Sequence, residues 1–150
     1  MNTAYLKPGL PAPAASDLDR PYWDGLREGR LLVQRCRRCD RYQWGPEWIC
    51  HRCQNFDLAY VEVEPRGRLY SHQRVWHPVH PALGAQGPYV IVLVELPHAD
   101  DIRLVGNLLG DPMQDLRIGA EVEGVFEHHA DHAPPFTLLQ WRYVKADGSA

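Results

Sequence analysis

Two C-x-x-C pairs, Cys36-Arg37-Arg38-Cys39 and Cys50-His51-Arg52-Cys53, lie ten residues apart and constrain this chain more than anything else in it. Each pair can turn the backbone tightly enough to aim two sulfurs at one point. Four thiolates then meet the tetrahedral preference of zinc, at about 2.3 Å per bond. A segment of about 25 residues cannot build a core of its own and needs such a staple. Four protein thiolates also leave no open position for water or substrate, so the expected ion is a structural zinc held by Cys36, Cys39, Cys50 and Cys53. Disulfides are the alternative, disfavoured by the spacing and by a reducing compartment. The opening MNTAYLKPGLPAPAAS lacks a charged start followed by an apolar stretch, so no secretory signal is read there and a cytoplasmic location is expected. No apolar run approaches the roughly 20 residues of a membrane helix. The longest, Tyr89–Val94, suits a buried strand.

Charge is unevenly spread. The net value is −3, yet Arg27 to Cys53 carries seven arginines against Glu28, Asp40 and Glu47, a local +4 that leaves −7 for the remainder. The acidic balance disfavours general nucleic-acid binding, which shows as a basic surface. The local cluster Arg35, Arg37, Arg38, Arg41 and Arg52 is either a solvated loop surface or a docking patch for an anionic group or partner. Those same arginines would offset the double negative charge of a zinc tetrathiolate.

The chain order reads as a lead-in (1–16), an N-terminal helical segment (17–30), a zinc ribbon (31–60), a barrel (61–145) and a tail (146–150). Asp19 near the cap, Pro21 in the first turn and Gly29 at the end bracket a short helix through Tyr22, Trp23 and Leu26. Tyr22 and Trp23 are expected to pack it on the body of the protein. Leu31–Gln34 is a strand leading into the first cysteine pair. Five strands follow: Gly67–Trp76, with Leu69, Ser71, Gln73 and Val75 on one parity, then Tyr89–Leu96, Ile102–Leu109, Glu121–Glu127 and Phe136–Val144. A long first strand and no strong helix among the five suit a mainly β chain ending in an OB-type barrel, with a sandwich as the alternative.

Other constellations offer less. Ser71 and His72 are neighbours in a strand and point to opposite faces, so they cannot pair as nucleophile and base. His77 and His80 sit beside prolines in a connection. The run His128-His129-Ala130-Asp131-His132 follows a strand and precedes Pro134-Pro135, which reads as a polar loop rather than a second metal site. No nucleotide-loop or nucleophile-elbow signature occurs, and no catalytic set is read. Tyr70, Trp76, Trp141 and Tyr143 could stack bases, as single-strand-binding barrels do. With Glu121, Glu123 and Glu127 interleaved nearby, filling or sealing the barrel is the expected role.

The features together form an ordered series. It runs through Asp19-Arg20-Pro21-Tyr22-Trp23-Asp24-Gly25-Leu26-Arg27-Glu28-Gly29, then Leu32-Val33-Gln34-Arg35-Cys36-x-x-Cys39, Pro46 and Cys50-x-x-Cys53. Gly67-Arg68-Leu69-Tyr70-Ser71, Pro88-Tyr89, Val92-Leu93-Val94-Glu95-Leu96 and Ile118-Gly119-Ala120-Glu121-Val122 complete it. The series resembles the bacterial and archaeal zinc-ribbon OB-fold proteins found alongside thiolase-like enzymes, over about residues 17–144. The resemblance implies a rubredoxin-like ribbon ahead of the barrel, with the four cysteines as metal ligands and no catalytic residue to carry over. It also implies a non-catalytic accessory subunit docking on a thiolase-like, aldolase or hydratase enzyme of acyl-CoA metabolism and helping to hold the acyl-CoA. A single-strand-binding module is the alternative function. The chain departs from the family pattern at Asp40, where a glycine usually follows the second cysteine, and at Glu47, where an arginine often follows the proline.

Overall fold

The computed structural model describes residues 11–83 and 87–145. The expected lead-in falls partly, and the tail wholly, outside those residues. Helix α1 (Arg20–Arg27) has Asp19 at its cap and Pro21 in its first turn, and the chain leaves it through Gly29 at φ +73°. Tyr22 and Leu26 point inward, as the spacing of apolar residues requires, and Tyr22 meets Trp44 at 4.6 Å between ring centres. The Asp19 carbonyl accepts from Tyr22 N at 3.0 Å and Trp23 N at 3.3 Å, but its side chain bonds none of the helix's N–H groups. Its carboxylate accepts from Ser16 N at 2.6 Å, Ser16 Oγ at 2.8 Å and Trp23 Nε1 at 3.0 Å. The indole of Trp23 is thereby fixed along the helix.

The ribbon sheet is three antiparallel strands in the order β2-β1-β3: β1 (Leu31–Cys36), β2 (Tyr42–Gln43) and β3 (Leu58–Val63). Pairing from Leu31↔Val63 to Cys36↔Leu58 places the first cysteine at the end of a fully registered strand. Tyr60 on β3 donates its hydroxyl proton to Leu18 O at 2.7 Å, tying the approach to α1 onto the ribbon.

The second sheet is antiparallel in the order β6-β5-β4-β7-β8: β4 (Arg66–Val75), β5 (Tyr89–Leu96), β6 (Ile102–Asn107), β7 (Glu121–His129) and β8 (Phe136–Tyr143). It curls until β6 reaches β8. Leu108 bridges Trp141, Leu109 N donates to Trp141 O at 2.7 Å, and Asn107 N donates to Gln140 Oε1 at 2.8 Å. The result is a nearly closed five-stranded barrel. Closure depends on Gly106, where a Cβ would lie 2.7 Å from Trp141 Cδ1 and 2.9 Å from Leu139 O. Val90, Val92, Val94 and Leu96 alternate inward along β5 and meet Leu69, Leu104, Val122 and Trp141. Tyr22, Leu26, Leu31, Val33 and Val63 join the same cluster, so helix, ribbon and barrel share one core.

Three expectations change. The single parity of Leu69, Ser71, Gln73 and Val75 is broken by a bulge between Leu69 and Ser71. Leu69 pairs with buried Val94, whereas Ser71 pairs with Leu93 on the outer face, because the extra residue, Tyr70, shifts the alternation by one. Tyr70, the extra residue of the bulge, and Trp76, one residue past the end of β4, do not fill the barrel and stand 45% and 54% exposed, while Trp141 is buried as expected. Finally, the histidine run is only partly a loop. Pairing continues to His129↔Phe136, so His128 and His129 belong to β7. His128 Nδ1 meets Thr137 Oγ1 at 2.9 Å, and His129 contacts Glu127 at 2.8 Å while stacking on Phe136.

One residue joins ribbon to barrel directly. Asp100, in the β5–β6 turn, takes the left-handed conformation (φ 55°). Its carboxylate accepts from Arg41 Nη1 at 3.0 Å and from Tyr42 N at 2.8 Å.

Candidate metal centre

The two cysteine knuckles have the same backbone. In the first, Asp40 N donates to Cys36 O at 2.9 Å and Cys36 N donates to Arg41 O at 2.9 Å. In the second, Gln54 N donates to Cys50 O at 3.1 Å and Cys50 N donates to Asn55 O at 2.8 Å. The residue after each second cysteine is left-handed: Asp40 at φ 59° and Gln54 at φ 58°. This accounts for the glycine usual in the family at position 40. Aspartate is among the few other residues that tolerate this conformation.

The knuckles bring the sulfurs together. Cys36 Sγ lies 3.6 Å from Cys53 Sγ, Cys39 Sγ lies 3.7 Å from Cys50 Sγ, and all four sulfurs fall within 4.8 Å of one another. A tetrahedron with bonds of about 2.3 Å has edges of about 3.8 Å, so the cage fits a zinc-sized ion. Among the described residues it is the only group of three or more potential ligands placed for a metal; the histidine run forms none. Without a cation the thiols differ. Amides of Cys53 and Arg52 draw the Cys50 thiol down to about 6, the latter from 3.4 Å. The Arg41 amide pulls Cys39 in the same direction, but burial and the neighbouring sulfurs outweigh it and push that thiol up to about 11.

Behind the cage lies a pair of glutamines that sequence reasoning missed. Gln34 and Gln43 are only 3% and 4% exposed. Gln43 Nε2 donates to Gln34 Oε1 at 2.9 Å and to Ile49 O at 3.3 Å, while Gln43 Oε1 accepts from His51 N at 2.9 Å. Gln34 Oε1 accepts from Glu47 N, and Gln34 Nε2 donates to Glu47 O, both at 3.0 Å. Together they hold the stretch from Glu47 to His51 and so position the second knuckle. Their only sequence signal is two amides inside otherwise apolar or aromatic strand segments.

The five arginines are scattered around the ribbon with different company. Arg35 donates to Asp40 O at 3.0 Å, approaches its carboxylate at 3.7 Å and lies 5.1 Å from the Tyr42 ring. Arg37 faces Asp57 at 3.6 Å, and Arg41 is bound to Asp100. Arg38 and Arg52 occupy equivalent positions in the two knuckles, are exposed, and have no acidic partner among the described residues. Trp48 and Phe56, both strongly exposed, flank the second knuckle. An open groove of about 390 Å³ runs beside it, lined by Arg41, Tyr42, Gln43, Cys50, His51 and Arg52.

Residues 23–59 match the family described as the ChsH2 rubredoxin-like zinc ribbon domain, and residues 60–127 match the ChsH2 C-terminal OB-fold domain. A solved structure described as an Ltp2-ChsH2(DUF35) aldolase contains a chain that is 34% identical, with a TM-score of 0.74 over 88% of this chain and 98% of that one. This chain belongs to the ChsH2-type DUF35 family of zinc-ribbon OB-fold proteins. Within the family, it is 37% identical over 113 residues to a probable enoyl-CoA hydratase alpha subunit of Thermomonospora curvata. That match takes in 75% of this chain but 34% of the relative, so the chain spans about a third of its length. A DUF35 domain-containing scaffold protein of Methanocaldococcus jannaschii is 27% identical over 106 residues, which are 69% of this chain and 73% of that one. A DUF35-family structure from Sulfolobus solfataricus shares the fold at 17% identity, with a TM-score of 0.59 over 87% of each chain. No helix among the described residues is long and apolar enough to cross a membrane.

Proposed function

We propose that this chain is a non-catalytic subunit that docks on an acyl-CoA enzyme of the thiolase-like, aldolase or hydratase type. The observation that carries this reading is the likeness, along nearly the whole of both chains, to the DUF35 chain of a structure described as an aldolase. The relatives described as a hydratase subunit and as a scaffold protein point the same way. Cys36, Cys39, Cys50 and Cys53 hold one structural zinc. Four thiolate ligands would leave a zinc no open position, so the cysteines would use it to brace the ribbon and not to act on a substrate. The ribbon then serves as a rigid docking element. Trp48 and Phe56 supply apolar contact, and Arg38 and Arg52 supply charge for the partner or for the CoA phosphates. Large aromatics and arginine are the residue types that dominate interface energetics.

Affinity purification of the full chain from its native host, with metal analysis of the same eluate, tests the reading. The expected result is one zinc per chain together with a thiolase-like, aldolase or hydratase enzyme. Recovery of nucleic acid or ribosomal material in place of such an enzyme would overturn it and favour single-strand binding. Tyr70 argues against that outcome, because the guanidinium of Arg103 already covers its ring at 3.7 Å.

A further inference from the structure

Among the described residues, strand β4 has a partner on only one side for half its length. Its pairing with β7 stops at Arg68↔Glu121, after which Leu69 exchanges backbone bonds with Gly119 and Ala120. Beyond the bulge, Ser71 to Val75 pair with β5 alone. The direction of their backbone groups can be worked out. Val90 O is taken by Leu108 N at 3.0 Å, on the β6 side, so Arg74↔Val90 is a non-hydrogen-bonded pair. The N–H and C=O of Arg74 therefore face away from β5, and by two-residue alternation so do those of His72. Among the described residues the only acquired partner on this edge is local: Gln73 turns its own side-chain amide onto Arg74 O at 2.9 Å.

The surroundings of this edge are apolar. Tyr70 and Trp76 stand exposed at its two ends. Ile118, also exposed, precedes the glycine that bonds Leu69. Exposed Met113 lies between Pro112 and Gln114, whose carbonyls each accept from the Arg74 guanidinium at 2.8 Å. Beside Ile118, Arg117 lies 5.0 Å from the Tyr143 ring and has no acidic partner among the described residues. An open strand edge is a template for another extended chain, and natural proteins usually blunt it with lysine, proline or a cover. Between Tyr70 and Val75 this edge carries neither lysine nor proline.

We propose that the edge of β4 from Tyr70 to Val75 receives an extended segment of the partner enzyme, which adds as a further strand to the barrel sheet. Main-chain bonds to His72 and Arg74 supply the register, and apolar side chains at alternate positions of the incoming segment rest on Ile118 and Met113. An acidic residue at the Ile118 end would meet Arg117. A second copy of this chain fits less well: residues 70–76 hold Arg74 and no acidic residue, so the same edge of a second copy brings no counter-charge to Arg117. The inference rests on the proposed docking on an acyl-CoA enzyme, and it names where and how that docking occurs.

Amide hydrogen exchange on the full chain, alone and with the acyl-CoA enzyme recovered in the purification, tests it, with complex formation followed on the same samples by light scattering. The His72 and Arg74 amides should exchange freely in the chain alone and slow by about a hundredfold or more in the complex. Ile118→Asp should weaken the complex by about tenfold or more, whereas Val105→Asp, at an exposed position on β6, should leave it within about twofold. A complex that forms without protecting these amides, or that tolerates Ile118→Asp, overturns the strand-addition proposal and leaves the docking reading standing. Failure of any acyl-CoA enzyme to bind overturns both. Protection of the same amides in the chain alone, with a doubled mass, would assign the edge to a second copy and overturn the proposal as stated.

Discussion

Gln34→Ala is the perturbation that most directly asks whether the buried amides organise the metal cage. The substitution removes an oxygen that accepts from Gln43 Nε2 at 2.9 Å and from Glu47 N at 3.0 Å, and a nitrogen that donates to Glu47 O at 3.0 Å. Three hydrogen bonds are lost, leaving Glu47 N, Glu47 O and one N–H of Gln43 unpaired, while Gln43 Nε2 keeps Ile49 O through its other hydrogen. Each buried group left unpaired costs about 1–3 kcal/mol. Glu47 is itself exposed, so water can reach its backbone and the low end of that range applies, for a sum of about 3 kcal/mol. Folding of a small ribbon and binding of its metal are one equilibrium. The loss should therefore appear as weaker zinc retention, on the order of a hundredfold in apparent affinity. Competition against a colorimetric chelator at neutral pH measures this, with Gln73→Ala, an exposed amide on the barrel, as the control. Equal retention of zinc by Gln34→Ala and the parent would refute the argument and reduce the glutamine pair to a bystander.

Further outcomes follow from the same geometry. Stripping the metal, or changing Cys50 to serine, should unfold the knuckles and alter the fluorescence of Trp44 and Trp48, while β5 and β6 stay protected in hydrogen exchange. Gly106→Ala places a Cβ against Trp141 and the Leu139 carbonyl, and should cost about 1–3 kcal/mol, read as a drop in Tm of roughly 2–4 °C per kcal/mol. Asp19 responds to acid. Burial raises its pKa, but hydrogen bonds from Ser16 and Trp23 outweigh this and hold it below the ordinary carboxylate value. A carboxylate depressed in the folded state contributes stability at pH values above about 4, and that contribution is lost as pH falls through the folded pKa. Between pH 5 and pH 2, to round figures, Asp19→Asn should therefore show a shallower fall in Tm than the parent; parallel curves would remove Asp19 from the account.

The cage and the five barrel strands were legible because each depends on spacing. Two C-x-x-C pairs can close on one ion only if both knuckles turn alike, and they do. The valines of β5 alternate with the period of a half-buried strand, and its ends fall at Tyr89 and Leu96 as expected. What escaped depends on long-range placement. Nothing local marks Gln34 and Gln43 as buried, since their burial is made by the stretch they bind, up to thirteen residues away. The bulge at Tyr70 leaves no composition signal either, yet one extra residue reverses the faces of everything after it in β4 and turns Ser71 and Gln73 outward. His128 and His129 read as loop because polar residues cluster there. Pairing with Thr137 and Phe136 outweighed that tendency and carried the strand two residues further.

Asp100 has a consequence for how such chains can be recombined. Its carboxylate is shared between a side chain and a main-chain amide of the ribbon, and those partners lie 59 and 58 positions away in the sequence. A chimera that takes the ribbon of one relative and the barrel of another would keep every cysteine and every strand, and could still set the two modules at the wrong angle. The pair that has to travel together is Arg41 with Asp100. Swapping experiments within the family should treat the β5–β6 turn as part of the ribbon it holds, although the chain places it deep inside the barrel.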